Sequence, residues 1–215
     1  MKYKACVFDF DLTLADSSVG IIKCFKLTLA EFGYPIPEDN KIFSTIGMTL
    51  VNALDELTGI PNNPQREQMK ERYVKIADKY MVQNTVFFDD SVSTLDMLQS
   101  KGIKVGIVSS KMKYRILDSF SSKVGRLPVD VIIGGSEVKN AKPDPEGLNL
   151  MCEKLGVEKS EVLYVGDSYI DAETAMNAGV DFAGTTTGTA SFDVFEKYPH
   201  VCIGKSLTDI FAHFE

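Results

Sequence analysis

Cysteine is sparse in this chain of 215 residues, and no C-x-x-C motif occurs. Cys6, Cys24, Cys152 and Cys202 are widely spaced, three of them beside apolar neighbours. That pattern argues against zinc and against a disulfide framework, and it predicts buried free thiols. Histidine is rarer still: His200 and His213 lie near the C-terminus without ligand spacing, so solvated or capping roles are expected. No apolar run approaches the roughly 18 residues of a membrane span. The start of the chain passes straight into a strand-like run followed by acidic residues, unlike a secretory signal. No internal repeat, low-complexity segment or G-x-x-x-x-G-K-[ST] loop is present. Net positive charge is missing too: the formal charge of −7 speaks against non-specific nucleic-acid binding. A soluble cytoplasmic protein is the expectation.

What is present is ordinary globular composition, 44% hydrophobic and 25% charged. The length supports a sizeable core without a disulfide or structural metal. Apolar runs at Tyr3–Phe10, Val105–Val108, Val129–Ile133, Val162–Val165 and, less clearly, Val180–Ala183 read as strands buried on both faces. Helical patterns lie between them. Thr94–Gly102 carries Leu95 and Leu98 and ends in glycine. Asp144 suits an N-cap and Pro145 a first helical position, with Leu148, Met151, Cys152 and Leu155 on one face and Gly156 beyond the end. Asp171–Ala178 is a further helix stopped by Gly179. Strands and helices alternating in this way predict an α/β fold with a Rossmann-like three-layer core and a mainly parallel sheet.

One stretch breaks the rhythm. Residues 16–83 show helical periodicity and no convincing strand: Ile22, Phe25, Leu29 and Phe32, then Leu50, Leu54 and Leu57, then Met69, Tyr73, Ile76 and Tyr80. This segment is predicted to be a small all-helical cap domain, inserted into a core of residues 1–15 and 84–215.

The candidate site follows from what ends each predicted strand. Asp9 and Asp11 follow the first, Ser109 and Ser110 the second, and Asp167 and Asp171 another, with Lys142 before the helix leading into that strand. Ligands of open α/β sheets bind outside the carboxyl ends of the strands, so these residues should converge. Taken singly, each has a blander reading: an aspartate as a turn former, Ser109 as a polar strand end, Lys142 as a solvated lysine. Four neighbouring carboxylates would raise one another's pKa unless a cation joined them. Oxygen ligands without histidine or thiolate favour magnesium, and magnesium brings phosphate chemistry.

Residues 7–17 resemble the first motif of the haloacid dehalogenase superfamily. Ser109 resembles its second motif, Lys142-Pro143 its third, and the run from Gly166 to Asp171 its fourth. The order matches along essentially the whole chain, and the insert's position is similar to that of the C1 helical cap. The likeness is greatest to phosphoglycolate-phosphatase-like members. It implies a phosphatase acting on a small phosphate ester, with Asp9 as nucleophile and Asp11 as acid–base. Ser109 and Lys142 would act on the phosphoryl group, and Asp9, Asp11, Asp167 and Asp171 would form the magnesium site. Ser110 and Gly47 would face substrate, and Thr13 would support the loop. Gly47, in the segment 44–48, reads equally as a helix–helix turn; Lys111 reads equally as a pocket residue or an exposed helix-start lysine. Gly184–Gly188 reads as a loop after the last strand. A phosphosugar mutase and a phosphoaspartate receiver module are the competing functions. A receiver would need no cap.

Overall fold

The computed structural model describes residues 2–212 and 214, so the expectation for His213 lies outside the described residues. In chain order the elements are β1 Ala5–Phe8, β2 Ala15–Asp16, α1 Ser18–Glu31, α2 Asp39–Phe43, α3 Leu50–Thr58, α4 Arg66–Tyr80, β3 Val86–Phe87, α5 Ser91–Ser100 and β4 Lys104–Val108. They continue with α6 Lys113–Lys123, β5 Val131–Ile133, α7 Glu146–Leu155, β6 Val162–Gly166, α8 Tyr169–Ala178, β7 Asp181–Thr185, α9 Phe192–Phe195, β8 Cys202–Gly204 and α10 Leu207–Ala212.

Six strands form one parallel sheet in the order β5-β4-β1-β6-β7-β8. The predicted Rossmann-like α/β core is therefore present, with one strand more than the apolar runs suggest. β8 is three residues long, too short to stand out as periodic. The strands alternate sides as the pleat requires. Cys6, Phe8, Leu163 and Val165 pack on one face with Leu95, Leu98, Ile116 and Phe120, under α5 and α6. Val7, Tyr164 and Phe182 pack on the other with Leu148, Met151, Ala172 and Ala175, under α7 and α8. This two-sided burial is why the strands read as unbroken apolar runs rather than alternating ones.

Helix ends fall close to where the sequence places them. Gly156 and Gly179 adopt positive φ at the ends of α7 and α8, which an L-side chain resists. Pro145 sits one position earlier than expected, as the cap residue of α7, and Asp144 accepts a hydrogen bond from Glu146 N (2.9 Å). All four cysteines are free and buried, and burial pushes the Cys6 thiol up to about 12.

Helices α1–α4 make a separate apolar cluster. Phe25, Leu29, Leu54, Leu57, Met69, Tyr73 and Ile76 meet there, joined by Leu12 from the loop after β1. The insert leaves and re-enters the core through two antiparallel strands, with Ala15 opposite Phe87 and Asp16 opposite Val86. This pairing straddles the boundary drawn from the sequence at 15/16, while Val86 and Phe87 fall just beyond the one at 83/84. Among the described residues, no helix is long and apolar enough to cross a membrane.

Candidate active site

β1 is the middle of the site because β4 and β6 flank it in register: Phe8 lies beside Ile107 and Val165. The next residues leave the sheet at one edge. Asp9 keeps one more bond, from its N to Val165 O (2.9 Å), and Ser109 N donates to Ile133 O (3.1 Å). Asp9, Ser109 and Asp167 thus emerge from three neighbouring parallel strands, as the strand-end argument expects. All three are buried.

Oxygens of Asp9, Asp167 and Asp171 all lie within 4.8 Å of one another. Lys142 Nζ is 2.7 Å from Asp171 Oδ1 and 3.2 Å from Asp9 Oδ1. The ammonium cannot balance three carboxylates. Burial, joined by Asp171 and Asp11, pushes Asp9 up to about 6 against the pull of Lys142 and Ser109. Burial and the neighbouring Asp171 and Asp9 hold Asp167 well above the carboxylate range. For Lys142 the balance runs the other way: burial lowers its pKa, but Asp171 and Asp9 together overcome it and hold the amine charged.

The residues present fit a hard cation. Their donors are all oxygen, and Asp9 Oδ1 is buried without a hydrogen bond among the described residues. Asp171 is differently placed. Its Oδ1 accepts from Lys142 Nζ and Tyr164 OH (2.8 Å), and its Oδ2 accepts from Ser168 N (3.1 Å) and Ser168 Oγ (2.5 Å). With both oxygens engaged, it suits contact with an ion through water and holds Lys142 in place. Asp167 accepts from Thr13 Oγ1 (3.0 Å) and Thr189 N (3.2 Å).

Asp11 stands apart from that cluster. Its Oδ1 accepts from Lys111 Nζ (2.6 Å) and from Ser17 Oγ, while Oδ2 makes no hydrogen bond among the described residues. Lys111 therefore faces the pocket and is buried, which decides between its two sequence readings. Ser109 Oγ accepts from Lys111 N (3.3 Å). Ser110 is half-buried, and its hydroxyl makes no hydrogen bond to the described residues. Gly47, at φ 98°, brings the insert against the core: a Cβ there would lie 3.6 Å from Ser168 Oγ and 3.8 Å from Ile170 Cδ1. His200 is exposed, its Nδ1 2.9 Å from Tyr198 O, and takes no part.

Three contributors escape sequence reasoning. Tyr164 is a strand residue like its apolar neighbours, and only its hydroxyl, 3.2 Å from Lys142 Nζ, sets it apart. Ser17 and Thr189 sit in turn-rich stretches where hydroxyl residues are common. The Gly184–Gly188 reading needs correction, since Gly184 and Thr185 belong to β7 and β8 follows it. The loop proper starts at Thr186, because β7 pairs with β8 as far as Thr185 opposite Gly204.

Residues 6–185 match a family model described as haloacid dehalogenase-like hydrolase. The chain is 28% identical to a phosphoglycolate phosphatase of Shigella dysenteriae, with 96% of this chain and 90% of that protein covered. It is 33% identical to pyrophosphatase PpaX of Listeria innocua, covering 85% and 83%. Among solved structures, one assigned to the haloacid dehalogenase-like hydrolases, from Bacteroides fragilis, superposes with a TM-score of 0.94 at 44% identity. That alignment covers 97% of this chain and 99% of the other.

Proposed function

The chain belongs to the haloacid dehalogenase-like hydrolase family and is one of its phosphatases, and on that premise we propose that it hydrolyses a small phosphate monoester through a phosphoaspartate on Asp9. The observation that carries the reading is Asp9 itself. Its Oδ1 is buried and takes no hydrogen bond among the described residues, beside two further carboxylates and one lysine. A structural aspartate so placed, with a single lysine shared between it and Asp171, would be a poorly compensated cost. A nucleophile awaiting a phosphoryl group and a cation would not.

Asp9 attacks phosphorus, forming an aspartyl–phosphate bond as the ester P–O bond breaks. Asp11 gives its proton to the departing alkoxide, then takes one from the water that attacks the phosphoaspartate, releasing inorganic phosphate and restoring Asp9. Lys111 and Ser17 fix one oxygen of Asp11, which leaves Oδ2 for the leaving group. Ser109 and Lys142 hold the phosphoryl oxygens, with Ser110 at the same strand end. Asp171 and Tyr164 keep Lys142 aimed at Asp9. Magnesium would suit this oxygen set, and Asp9, Asp167, the Asp11 main chain and, directly or through water, Asp171 would hold it. It would offset charge on the transferring group.

The helical segment, residues 16–83, acts as a cap in this reading. With Gly47 against Ser168, the reactants are shielded from bulk water, and exchange of substrate requires the cap to move. A receiver module would have no use for that cover. The substrate is a small soluble phosphate compound rather than a nucleic acid or a membrane surface, and the ester phosphoglycolate and the anhydride pyrophosphate are the first compounds to try.

The test is phosphate release from a panel of phosphorylated metabolites, with magnesium and with EDTA. Turnover that stops in EDTA and leaves an acid-stable, hydroxylamine-labile phosphoprotein on quenching is expected. Turnover that persists in EDTA would refute the metal assignment. No release from any ester, with labelled phosphate retained on the protein, would favour the receiver.

A further inference from the structure

We propose that the loop following β7, through Thr187 and Gly188, positions both arms of the site at once: Asp167 for the metal and the Asp11–Leu12–Thr13 turn for proton transfer. The inference rests on the roles given above to Asp11 and Asp167. In sequence this glycine- and threonine-rich stretch lacks the pattern of a phosphate-binding loop. The structure shows what it holds instead.

Its base is fixed to the sheet, since Thr186 N donates to Gly204 O at the end of β8 (2.9 Å). The Thr185 and Thr187 hydroxyls are 3.0 Å apart, and Thr187 Oγ1 donates to Leu12 O (2.6 Å). Leu12 is at φ 62°. For an L-residue this left-handed conformation costs roughly 1–2 kcal/mol and persists only where surroundings enforce it. Two bonds enforce it here: the one from Thr187, and Leu12 N to Ala15 O (2.7 Å). The turn at Leu12 sends Asp11 toward Lys111 and Thr13 toward Asp167.

The next residues reach Asp167 directly. Thr189 N donates to its Oδ2 and Ala190 N to its main-chain O (3.0 Å), opposite the bond from Thr13. Gly188 lies between these contacts. A Cβ there would fall 2.6 Å from Asp167 Cβ and closer still to the carboxylate. Its φ lies outside the left-handed region, so the need for glycine comes from this approach and not from backbone freedom. The carboxylate is clasped between Thr13 and a loop with no room for a methyl group. Neither Thr187 nor Gly188 touches the reacting atoms; both are positioning residues that link loops from three strands.

The experiment measures Mn²⁺ affinity by electron paramagnetic resonance, kcat, KM and thermal midpoint for the wild type, Gly188→Ala and Thr187→Val. Gly188→Ala should weaken Mn²⁺ binding about tenfold or more, the usual effect of disturbing a ligand's support. Thr187→Val should lower kcat about tenfold, with KM changing less, and weaken Mn²⁺ binding no more than Gly188→Ala does, since the turn it supports also carries the Asp11 main chain and Thr13. Wild-type affinity in Gly188→Ala, wild-type kcat in Thr187→Val, or losses that merely track thermal midpoint would each overturn the proposal. If Gly188→Ala does not fold, Thr13→Val removes only the opposite bond to Asp167. It should show the same roughly tenfold loss of Mn²⁺, and unchanged affinity there overturns the proposal as well. A wild type that binds no Mn²⁺ overturns the site reading on which the loop's role depends.

Discussion

Both the sheet and the helical insert carry ion pairs at their surfaces, but only the sheet also gathers buried charges, at one edge. In the core, Asp9, Asp167, Asp171 and Lys111 are buried at one edge beside the buried side chain of Lys142, which answers Asp9 and Asp171 while Lys111 answers Asp11. In the insert, the pairs Lys26–Asp39, Lys41–Glu56 and Arg72–Glu31 lie well exposed on the helix surfaces. Pairs so exposed contribute little to stability. What the insert brings to the core near the site is a glycine at position 47 and the apolar cluster that receives Leu12. The candidate site lies in the sheet half, and in the proposed function the half joined by two short strands is its cover. Where the halves meet, Arg115 of α6 is the buried exception: it donates to Val74 O (2.8 Å) and to Asp78 Oδ1 (2.7 Å) of α4, and Tyr114 OH reaches the same carboxylate.

The contrast fails outright if the core carboxylates can be neutralised without loss of chemistry. Asp9→Asn is nearly isosteric and should lower kcat by on the order of 10⁴-fold or more. Asp11→Asn should cost about 10²- to 10⁴-fold, the usual share of a general acid–base. Steady-state phosphate release checks both, and acid-quenched phosphoprotein should survive only in the second.

Stability against pH sharpens the same point. The Asp9 carboxyl is raised by burial from its ordinary value near 3.8 to about 6. Between those values the metal-free native state binds more protons than the unfolded chain, so this group's contribution to stability declines as pH rises through that window. Asp9→Asn removes the penalty. In EDTA the variant should therefore gain thermal midpoint over the wild type at pH 7 and show no gain at pH 4. Equal midpoints at both pH values would mean that Asp9 is not strained by its burial.

The smallest effect belongs to the joint between the halves. Asp78→Ala leaves the Arg115 guanidinium with only a main-chain partner, and the half-exposed carboxylate limits the cost to about 1 kcal/mol. Chemical denaturation should show that loss, while kcat/KM changes more than metal affinity does. A drop in metal affinity instead would show that cover and site are not separable.

Much of this was legible in the chain. Runs such as Val162–Val165 announce a strand buried on both sides, and carboxylates at the ends of such runs have one edge to occupy. β2 and β3 could not be read, because two residues carry no period and their pairing joins positions about seventy residues apart. α2, with five residues, is missed for the same reason. Lys111 was undecided because an amphipathic side chain fits either surface or pocket until its partner is placed.

The order of the longer strands and helices, their apolar faces and the identity of the ionisable groups follow from the sequence, because they depend on residue type and local period alone. Which oxygen of Asp11 is occupied, that Asp171 spends both of its oxygens on Lys142, Tyr164 and Ser168, and that Gly188 touches Asp167 were decided only by the tertiary structure. These are contacts between segments far apart in the chain, and hydrogen bonding and close packing at that range depend on positions set to fractions of an ångström.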